Sequence, residues 1–186
     1  MKLSILKAGS ILFLLCYSMF CMAQDSLLWK FTSGAAVYSS ATISGSSLFI
    51  GSGDMNMYSL DKNTGSLNWK LGSKFAVHST TAVSGYFVYF TSSDGTVYSL
   101  HKNNGKMAWL FATRGEQKKD IWDYYLSSPV IEKGIVYTGS GDSSVYALNA
   151  MSGALIWSFK TNGIVHATPV VYEGVVYVGS FDGNFY

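Results

Sequence analysis

A residue pattern that returns at regular intervals constrains this chain more than any other feature. The segments SLDKNTGSLNW at 59–69, SLHKNNGKMAW at 99–109 and ALNAMSGALIW at 147–157 each place a Gly four residues before a Trp. Three kinds of residue recur at intervals of 40 or 48: Trp29, Trp69, Trp109 and Trp157; Tyr58, Tyr98, Tyr146 and Tyr186; Asp54, Asp94, Asp142 and Asp182. A period in this range predicts an array of similar structural units.

Each unit has the pattern of short β-strands. The runs GIVYTGS at 134–140 and GVVYVGS at 174–180 are rich in β-branched and aromatic residues and are bounded by Gly, and SVYALN at 144–149 alternates apolar and polar residues. Turn-forming segments such as SGSS and GSGD separate these runs, and no segment after residue 24 has a helical period. The sequence therefore predicts an all-β fold, a β-propeller of about four blades that are four-stranded antiparallel sheets.

The repeated motif resembles the tryptophan-docking repeat of PQQ-like (quinoprotein-type) β-propellers, a family with BamB-like members. Its pattern is Ala or Ser, any residue, Asp, three residues, Gly, three residues and Trp; the Asp is Asp61 in one copy and is replaced by His101 and Asn149 in the others. The resemblance implies that the Gly forms the turn between the third and fourth strands, while the Trp packs against the next blade. The residues with these docking roles would be Gly65, Gly105 and Gly153, with Trp29, Trp69, Trp109 and Trp157.

The resemblance also divides the chain into blades. These would span about 34–72, 73–112, 124–160 and 163–186, after an N-terminal strand at 27–32, with innermost strands that begin near residues 37, 77, 125 and 165. The N-terminal strand could complete the last blade and close a ring of four. Alternatively, the chain is an open part of a seven- or eight-bladed ring, whose remainder lies outside this sequence or comes from a second copy by self-association. We favour the open part, because similar propellers have seven or eight blades.

The first 23 residues have the features of a secretory signal peptide. Lys2 and Lys7 accompany a mostly apolar run at 8–20, which is shorter than the roughly 20 residues that a transmembrane helix needs. The small residue at the end of CMA at 21–23 fits a cleavage site, so we predict cleavage after Ala23 and export to the periplasm or the extracellular space. Phe20 is too bulky for a lipoprotein cleavage box, so a lipid anchor on Cys21 is not expected, and neither is a transmembrane span.

Removal of the leader alters the composition in ways that argue against several functions. The 13 Lys and Arg residues fall to 11, which equals the number of Asp and Glu residues. A neutral chain has no surplus of positive charge with which to bind nucleic acid or anionic lipid. Both cysteines, Cys16 and Cys21, lie within the leader, so the mature chain contains no disulfide and no thiolate chemistry.

The recurring polar residues favour structural roles over catalytic ones. The four Asp residues recur once per unit in turn segments, where Asp and Gly are the residues that turns require. Tyr38, His78 and His166 occupy equivalent positions at the start of the innermost strands and are candidates for the rim of the channel. No Cys, Asp or Glu stands near either His at the spacing of a metal site, so packing at the rim is favoured over ligand binding. We expect neither a metal nor a cofactor.

The best candidate for a functional surface is the place where the repeat is interrupted. About eight extra residues fall within RGEQKKDIWDYY at 114–125, between the second and third units, and combine charged and aromatic side chains. Such residues on a protruding loop are typical of partner-binding surfaces. The alternative is a longer connection whose Trp tucks over the channel. The candidate partner-binding residues are Lys118, Lys119, Asp120, Trp122, Asp123, Tyr124 and Tyr125.

Two classes of function follow from the resemblance. The first is an exported, non-catalytic scaffold that binds a protein partner in the cell envelope, similar to outer-membrane assembly factors. The second is a fragment of a PQQ-dependent alcohol or sugar dehydrogenase, which would need a catalytic Asp, a bound calcium and usually an adjacent Cys pair. The missing cysteines and the regular spacing of the carboxylates favour the scaffold.

Overall fold

The structure, a computed structural model, describes residues 27–116 and 126–186. In this part of the chain the regular elements are all β-strands. They are β1 Thr42–Ser44, β2 Ser47–Gly51, β3 Asn56–Asp61, β4 Leu67–Gly72, β5 Ala82–Ser84, β6 Phe87–Thr91, β7 Thr96–His101, β8 Met107–Ala112, β9 Val130–Glu132, β10 Ile135–Ser140, β11 Ser144–Asn149, β12 Leu155–Lys160, β13 Val170–Tyr172 and β14 Val175–Tyr177. Within the same residues, no helix is long and apolar enough to cross a membrane.

The strands form successive antiparallel sheets in chain order. Sheet 1 contains β1 to β4, sheet 2 contains β5 to β8, and sheet 3 contains β9 to β12. Sheet 4 contains β13 and β14, followed by an antiparallel bridge between Gly179 and Phe185. The prediction of an all-β fold built from four-stranded antiparallel blades is confirmed.

The sheets are arranged as neighbouring blades around one axis. The first strand of each sheet contacts the first strand of the next, in the order β1, β5, β9 and β13. These strands are therefore the innermost ones, and β4, β8 and β12 lie at the outer edge. The described residues form an open arc, in agreement with the open part of a larger ring that the sequence favoured.

The N-terminal segment differs from its prediction as a strand. Residues 27–32 belong to no sheet in the described part of the chain. A strand needs a neighbour that pairs with it through backbone hydrogen bonds, and this segment has no such neighbour among the described residues, although Trp29 contacts Gly65 and the ring of Phe31 packs at 5.1 Å against Tyr58. The segment therefore packs on the side of sheet 1 and does not complete sheet 4.

The innermost strands also begin about five residues later than predicted, at Thr42, Ala82, Val130 and Val170. The reason is that a serine side chain replaces the backbone as the partner of the second strand. The serine Oγ accepts a hydrogen bond from a backbone amide in three sheets: Ser39 from Gly51 at 3.0 Å, Ser79 from Thr91 at 2.8 Å and Ser127 from Gly139 at 2.8 Å. The chain therefore follows the second strand before the regular ladder starts.

The hydrophobic core lies between adjacent sheets and repeats with them. Between sheets 1 and 2, Phe49, Met57 and Trp69 pack against residues of sheet 2 that include Val88 and Phe90. An equivalent cluster joins sheets 2 and 3. Because each internal sheet is covered on both faces, its third strand is buried almost throughout.

Candidate functional site

The recurring Trp and Gly residues meet across the boundaries between blades. A Cβ atom built on Gly65, Gly105 or Gly153 would lie 2.5–2.7 Å from ring atoms of Trp29, Trp69 or Trp109 respectively. Each indole therefore lies directly on the backbone of the next unit, in space that only Gly leaves free. The Nε1 atom of each indole also donates a hydrogen bond to a carbonyl of the same turn: Trp29 to Lys62 at 3.0 Å, Trp69 to Lys102 at 2.9 Å and Trp109 to Ala150 at 2.9 Å.

The turn that receives the indole keeps its shape although its first polar residue varies. The three glycines have φ of +71°, +68° and +71°, a conformation that Gly adopts without strain. Each donates its amide to the carbonyl four residues earlier, that of Asp61, His101 or Asn149, at 2.8–2.9 Å. Asp61 Oδ1 also accepts hydrogen bonds from the amides of Thr64 and Asn63, which lower the pKa of Asp61. The backbone turn survives the replacement of Asp61 by His101 in the second copy.

Trp157, the fourth recurring Trp, is more exposed than its counterparts. It is 37% exposed, whereas Trp69 and Trp109 are each 9% exposed. Its ring contacts Tyr137 of the same sheet at 5.9 Å and borders a groove that Val176 and Tyr186 also line. In the described residues it therefore covers less apolar surface than the other two.

The recurring Asp residues form hydrogen bonds with the segment that precedes the first strand of a blade. Three of them accept a hydrogen bond from a backbone amide about 20 to 28 residues earlier in the chain and another from the Tyr hydroxyl four residues later. The partners are Gly34 and Tyr58 for Asp54, Arg114 and Tyr146 for Asp142, and Asn162 and Tyr186 for Asp182. Asp94 differs, because it accepts hydrogen bonds from Ser92 and Thr96 within its own turn.

The contact between Asp54 and Tyr58 shifts the pKa of both residues. Burial opposes the charged form of Asp54, but hydrogen bonds from Tyr58, Gly34 and Asn56 outweigh it and lower the pKa of Asp54. Burial and the bond to the Asp54 carboxylate raise the pKa of Tyr58 from 10.0 to about 12. Burial and the bond to Asp142 likewise raise the pKa of Tyr146. At neutral pH the pair of Asp54 and Tyr58 is therefore a carboxylate that accepts a hydrogen bond from a neutral phenol.

This arrangement predicts a specific loss of stability at alkaline pH. A phenol whose pKa is higher in the folded state stabilises the fold fully below the unfolded value of 10.0, and this contribution is lost as the pH rises towards about 12. We expect Tyr58→Phe to reduce the slope of unfolding free energy against pH in this window, measured by urea denaturation. Tyr86→Phe, at a side chain that is 75% exposed, is the control. Equal slopes for wild type and Tyr58→Phe would contradict the role of the pair.

The three rim candidates lie in two separate contacts. The rings of Tyr38 and His78 meet edge to face with centroids 5.0 Å apart. His166 instead lies with its Nε2 3.1 Å from Oε2 of Glu116, and these two side chains are only 3% and 6% exposed. The ring of His166 also contacts Phe181 at 5.6 Å. His166 thus has a buried acidic partner that is not among the candidate residues of the sequence pattern.

Glu116 lies 50 residues before His166, and no spacing in the sequence signals the contact. Its neighbour in space, Gly95, belongs to the turn between β6 and β7 of sheet 2. Glu116 therefore connects the start of the insertion to both sheet 2 and the segment before β13. Among residues 27–116 and 126–186, no three His, Cys, Asp or Glu side chains are grouped so that they could hold a metal ion.

The candidate partner-binding residues all fall in 117–125 and lie outside the described residues. They are Lys118, Lys119, Asp120, Trp122, Asp123, Tyr124 and Tyr125. The described start of the insertion is anchored on two sides, through the amide of Arg114 on Asp142 and through Glu116 on His166. The described start of the insertion is therefore held by contacts with sheet 3 and with the segment before β13.

Comparisons with known proteins agree with the repeat and the fold. The family model described as outer membrane protein assembly factor BamB matches residues 19–123 and 119–186. No curated protein sequence matches the chain. Among solved structures, BamB from Moraxella catarrhalis superposes with a TM-score of 0.76 at 23% identity, over 87% of this chain and 52% of that chain. This chain therefore spans about half the length of the Moraxella protein.

Two further structures share the fold at lower identity. The computationally designed Ika4 protein has a TM-score of 0.69 at 19% identity, over 83% of this chain and 91% of that chain. A europium-containing methanol dehydrogenase has a TM-score of 0.60 at 18% identity, over 75% of this chain and 27% of that chain. At such identities the likeness shows the fold alone. The family match over residues 19–123 and 119–186 is what assigns the chain: it belongs to the family of the outer membrane protein assembly factor BamB.

Proposed function

We propose that this chain is an exported, non-catalytic propeller module that binds a protein partner in the cell envelope during the assembly of outer-membrane proteins. The observation that carries the proposal is the family match, which extends over residues 19–123 and 119–186. Export through the leader at 1–23, with cleavage after Ala23, is part of the proposal. The periplasm is the compartment in which such a module meets unassembled outer-membrane proteins.

The use of the repeated carboxylates supports a binding role over a catalytic one. Asp54, Asp142 and Asp182 are each engaged by a backbone amide and a Tyr hydroxyl that hold neighbouring segments together. A carboxylate that serves as a general base or a nucleophile must be able to reach a substrate. These three side chains instead repeat one structural contact from blade to blade.

The alternative, a fragment of a PQQ-dependent dehydrogenase, has weaker support. The likeness to the methanol dehydrogenase covers 27% of that protein at 18% identity, and the same fold supports many functions. The family match names an assembly factor. We therefore place the chain with the binding proteins of this fold.

We propose the insertion as the partner-binding surface. Its described start is tied to the arc by the hydrogen bond from Arg114 to Asp142 at 2.9 Å and by the buried contact between Glu116 and His166 at 3.1 Å. A loop that leaves a rigid scaffold at a fixed point presents its side chains in a reproducible position. Trp122 and Tyr124 would then supply the aromatic contacts that dominate many protein interfaces.

Capture of envelope proteins tests this function. The chain, purified after export from a Gram-negative host and immobilised, is expected to retain a component of the outer-membrane protein assembly machinery from solubilised membranes, identified by mass spectrometry. Trp122→Ala combined with Tyr124→Ala should weaken capture by about tenfold or more, because aromatic hot spots carry much of the binding energy.

The proposed function and the proposed binding surface can be tested separately. Tyr86→Ala changes an aromatic residue that is 75% exposed in the turn between β5 and β6 and should leave capture intact. Undiminished capture by the double variant would reject the insertion as the surface. Failure of the wild-type chain to retain any assembly component would reject the function itself.

A further inference from the structure

The sequence contains steps in which an Asn or an Asp is followed directly by a Gly. They are Asp94–Gly95, Asn104–Gly105, Asn162–Gly163 and Asp182–Gly183. In such a step the backbone nitrogen of the Gly can attack Cγ of the preceding side chain, because a Gly has no Cβ to obstruct the approach. In a folded protein the reaction also depends on whether hydrogen bonds hold the Gly amide and the side chain in place.

At three of these steps the Gly amide is held by a hydrogen bond. Gly95 donates to the carbonyl of Ser92 at 2.9 Å, Gly105 to that of His101 at 2.9 Å and Gly183 to that of Ser180 at 3.1 Å. The same three glycines have a left-handed conformation, with φ of +82°, +68° and +84°. Their hydrogen bonds must open before the nitrogen can act as a nucleophile, and this opening costs free energy.

The step from Asn162 to Gly163 differs from the other three. The amide of Gly163 donates no hydrogen bond to any described residue, and its φ is not left-handed. The side chain of Asn162 is exposed and makes no hydrogen bond within the described part of the chain. In contrast, Oδ1 of Asn104 accepts a hydrogen bond from the amide of Lys106 at 3.0 Å. Neither reacting group is therefore held at Asn162–Gly163.

The exposure of Asn162 is a property of its place in the repeat. Asn162 lies on the connection between β12 and β13, and the equivalent residues on the connections into sheets 2 and 3, Lys74 and Arg114, are also exposed. The fold does not require Asn here, because the contact that this position makes with the recurring Asp uses the backbone amide of Arg114 just as it uses that of Asn162.

The fold does require the Gly that follows. A Cβ atom built on Gly163 would lie 2.4 Å from the backbone nitrogen of Asp182 and 2.8 Å from the carbonyl carbon of Phe181. Only Gly can pack so closely against another segment of backbone. The packing of sheet 4 thus keeps Gly163 next to an Asn whose side chain is exposed.

From these contacts we infer that Asn162 is a site of spontaneous deamidation in the folded protein. The nitrogen of Gly163 forms a bond to Cγ of Asn162, the bond between Cγ and Nδ2 breaks, and the proton of the Gly amide leaves with the departing nitrogen as ammonia. Water then opens the resulting succinimide ring at either carbonyl and leaves aspartate or isoaspartate at position 162. This inference does not rest on the proposed envelope function.

Deamidation weakens the connection into sheet 4. The backbone amide of Asn162 donates a hydrogen bond to Oδ2 of Asp182 at 3.0 Å. The reaction adds a carboxylate close to that of Asp182, and like charges repel each other. In the isoaspartate product the main chain also gains a methylene group at position 162, which displaces the amide from Asp182. Both products therefore disturb the contact that holds the segment before β13.

Peptide mapping of the folded, exported chain tests the inference. After incubation for several weeks in mildly alkaline buffer, trypsin places Asn104 in the peptide 103–106 and Asn162 in a peptide that begins at Thr161, and fragment spectra locate the modified residue. We expect Asn162 to deamidate at least about fivefold faster than Asn104, the factor that corresponds to the opening of one hydrogen bond. An equal or slower rate at Asn162 would overturn the inference.

The same measurement on the unfolded chain shows whether the fold causes the difference. In guanidinium chloride the hydrogen bonds at both Asn–Gly steps are lost, so Asn104 and Asn162 should react at similar rates. A preference for Asn162 that persisted in the unfolded chain would assign it to the local sequence and would reject the role of the structure. Circular dichroism before and after incubation verifies that the untreated sample stays folded.

Substitutions separate the modification from its consequence. Asn162→Gln keeps the amide on a longer side chain that does not readily close the ring, so the signal at position 162 should disappear. Asn162→Asp reproduces one product and should lower the urea concentration at the midpoint of unfolding. Asn104→Asp is the matched control, because its carboxylate can still accept the hydrogen bond from Lys106, and its midpoint should not change. An unchanged midpoint for Asn162→Asp would contradict the weakening of the connection into sheet 4.

Discussion

Trp109→Ala is expected to lower the free energy of unfolding by about 3–5 kcal/mol, the range typical for removal of a large buried side chain. Trp109 is 9% exposed and packs with Tyr89, Val136 and Leu148 between sheets 2 and 3. Its truncation removes contacts from both sheets and leaves the carbonyl of Ala150 without the indole donor. Because the indole ring contacts both sheets, we expect the substitution to weaken the packing between sheets 2 and 3. Urea denaturation monitored by circular dichroism measures the change.

Trp157→Ala provides the matched control. Trp157 occupies the same place in its repeat but is 37% exposed, so its removal returns less apolar area from the folded state to water. We expect a cost no greater than about half that of Trp109→Ala. Equal costs for the two substitutions would contradict the view that contact with the next blade, and not the strand position, determines the contribution of the Trp.

The spacing of Trp, Tyr and Asp made the fold predictable. An array of blades places the same contact at every boundary, so the residues that make it recur at the same interval. The indole on Gly105 and the indole on Gly153 are two instances of one contact. The order of the blades can be predicted from the sequence because the contacts between blades recur with the same period as the residues.

Contacts that occur once have no such signature. Glu116 and His166 are 50 residues apart, and their pairing depends on the path of an insertion that has no counterpart in the other units. The late start of the innermost strands was also missed, because Ser39 and Ser79 take part in the ladder through side chains. A strand pattern read from hydropathy does not distinguish a backbone partner from a hydroxyl partner.

Gly153→Ala is expected to lower the free energy of unfolding by about as much as Trp109→Ala, the substitution that removes the indole packed against Gly153. The new Cβ would lie 2.6 Å from Cδ2 and Cε3 of Trp109, at a residue with φ of +71°. The left-handed conformation costs Ala about 1–2 kcal/mol, and displacement of a packed ring typically adds about 1–3 kcal/mol. Thermal and urea denaturation should both show the loss.

Gly134→Ala separates the two causes. Gly134 lies in the same sheet with φ of +78°, and a Cβ there meets no atom within 4 Å, so only the backbone cost of about 1–2 kcal/mol applies. The double variant Gly153→Ala with Trp109→Ala completes the cycle. If the ring is the obstacle, Gly153→Ala in the Trp109→Ala background should cost no more than Gly134→Ala does in the wild type, since residues in contact are not additive. If Gly153→Ala lowers the free energy of unfolding by the same amount with and without Trp109, then Gly153 is needed only for the conformation of its turn and not for contact with the indole.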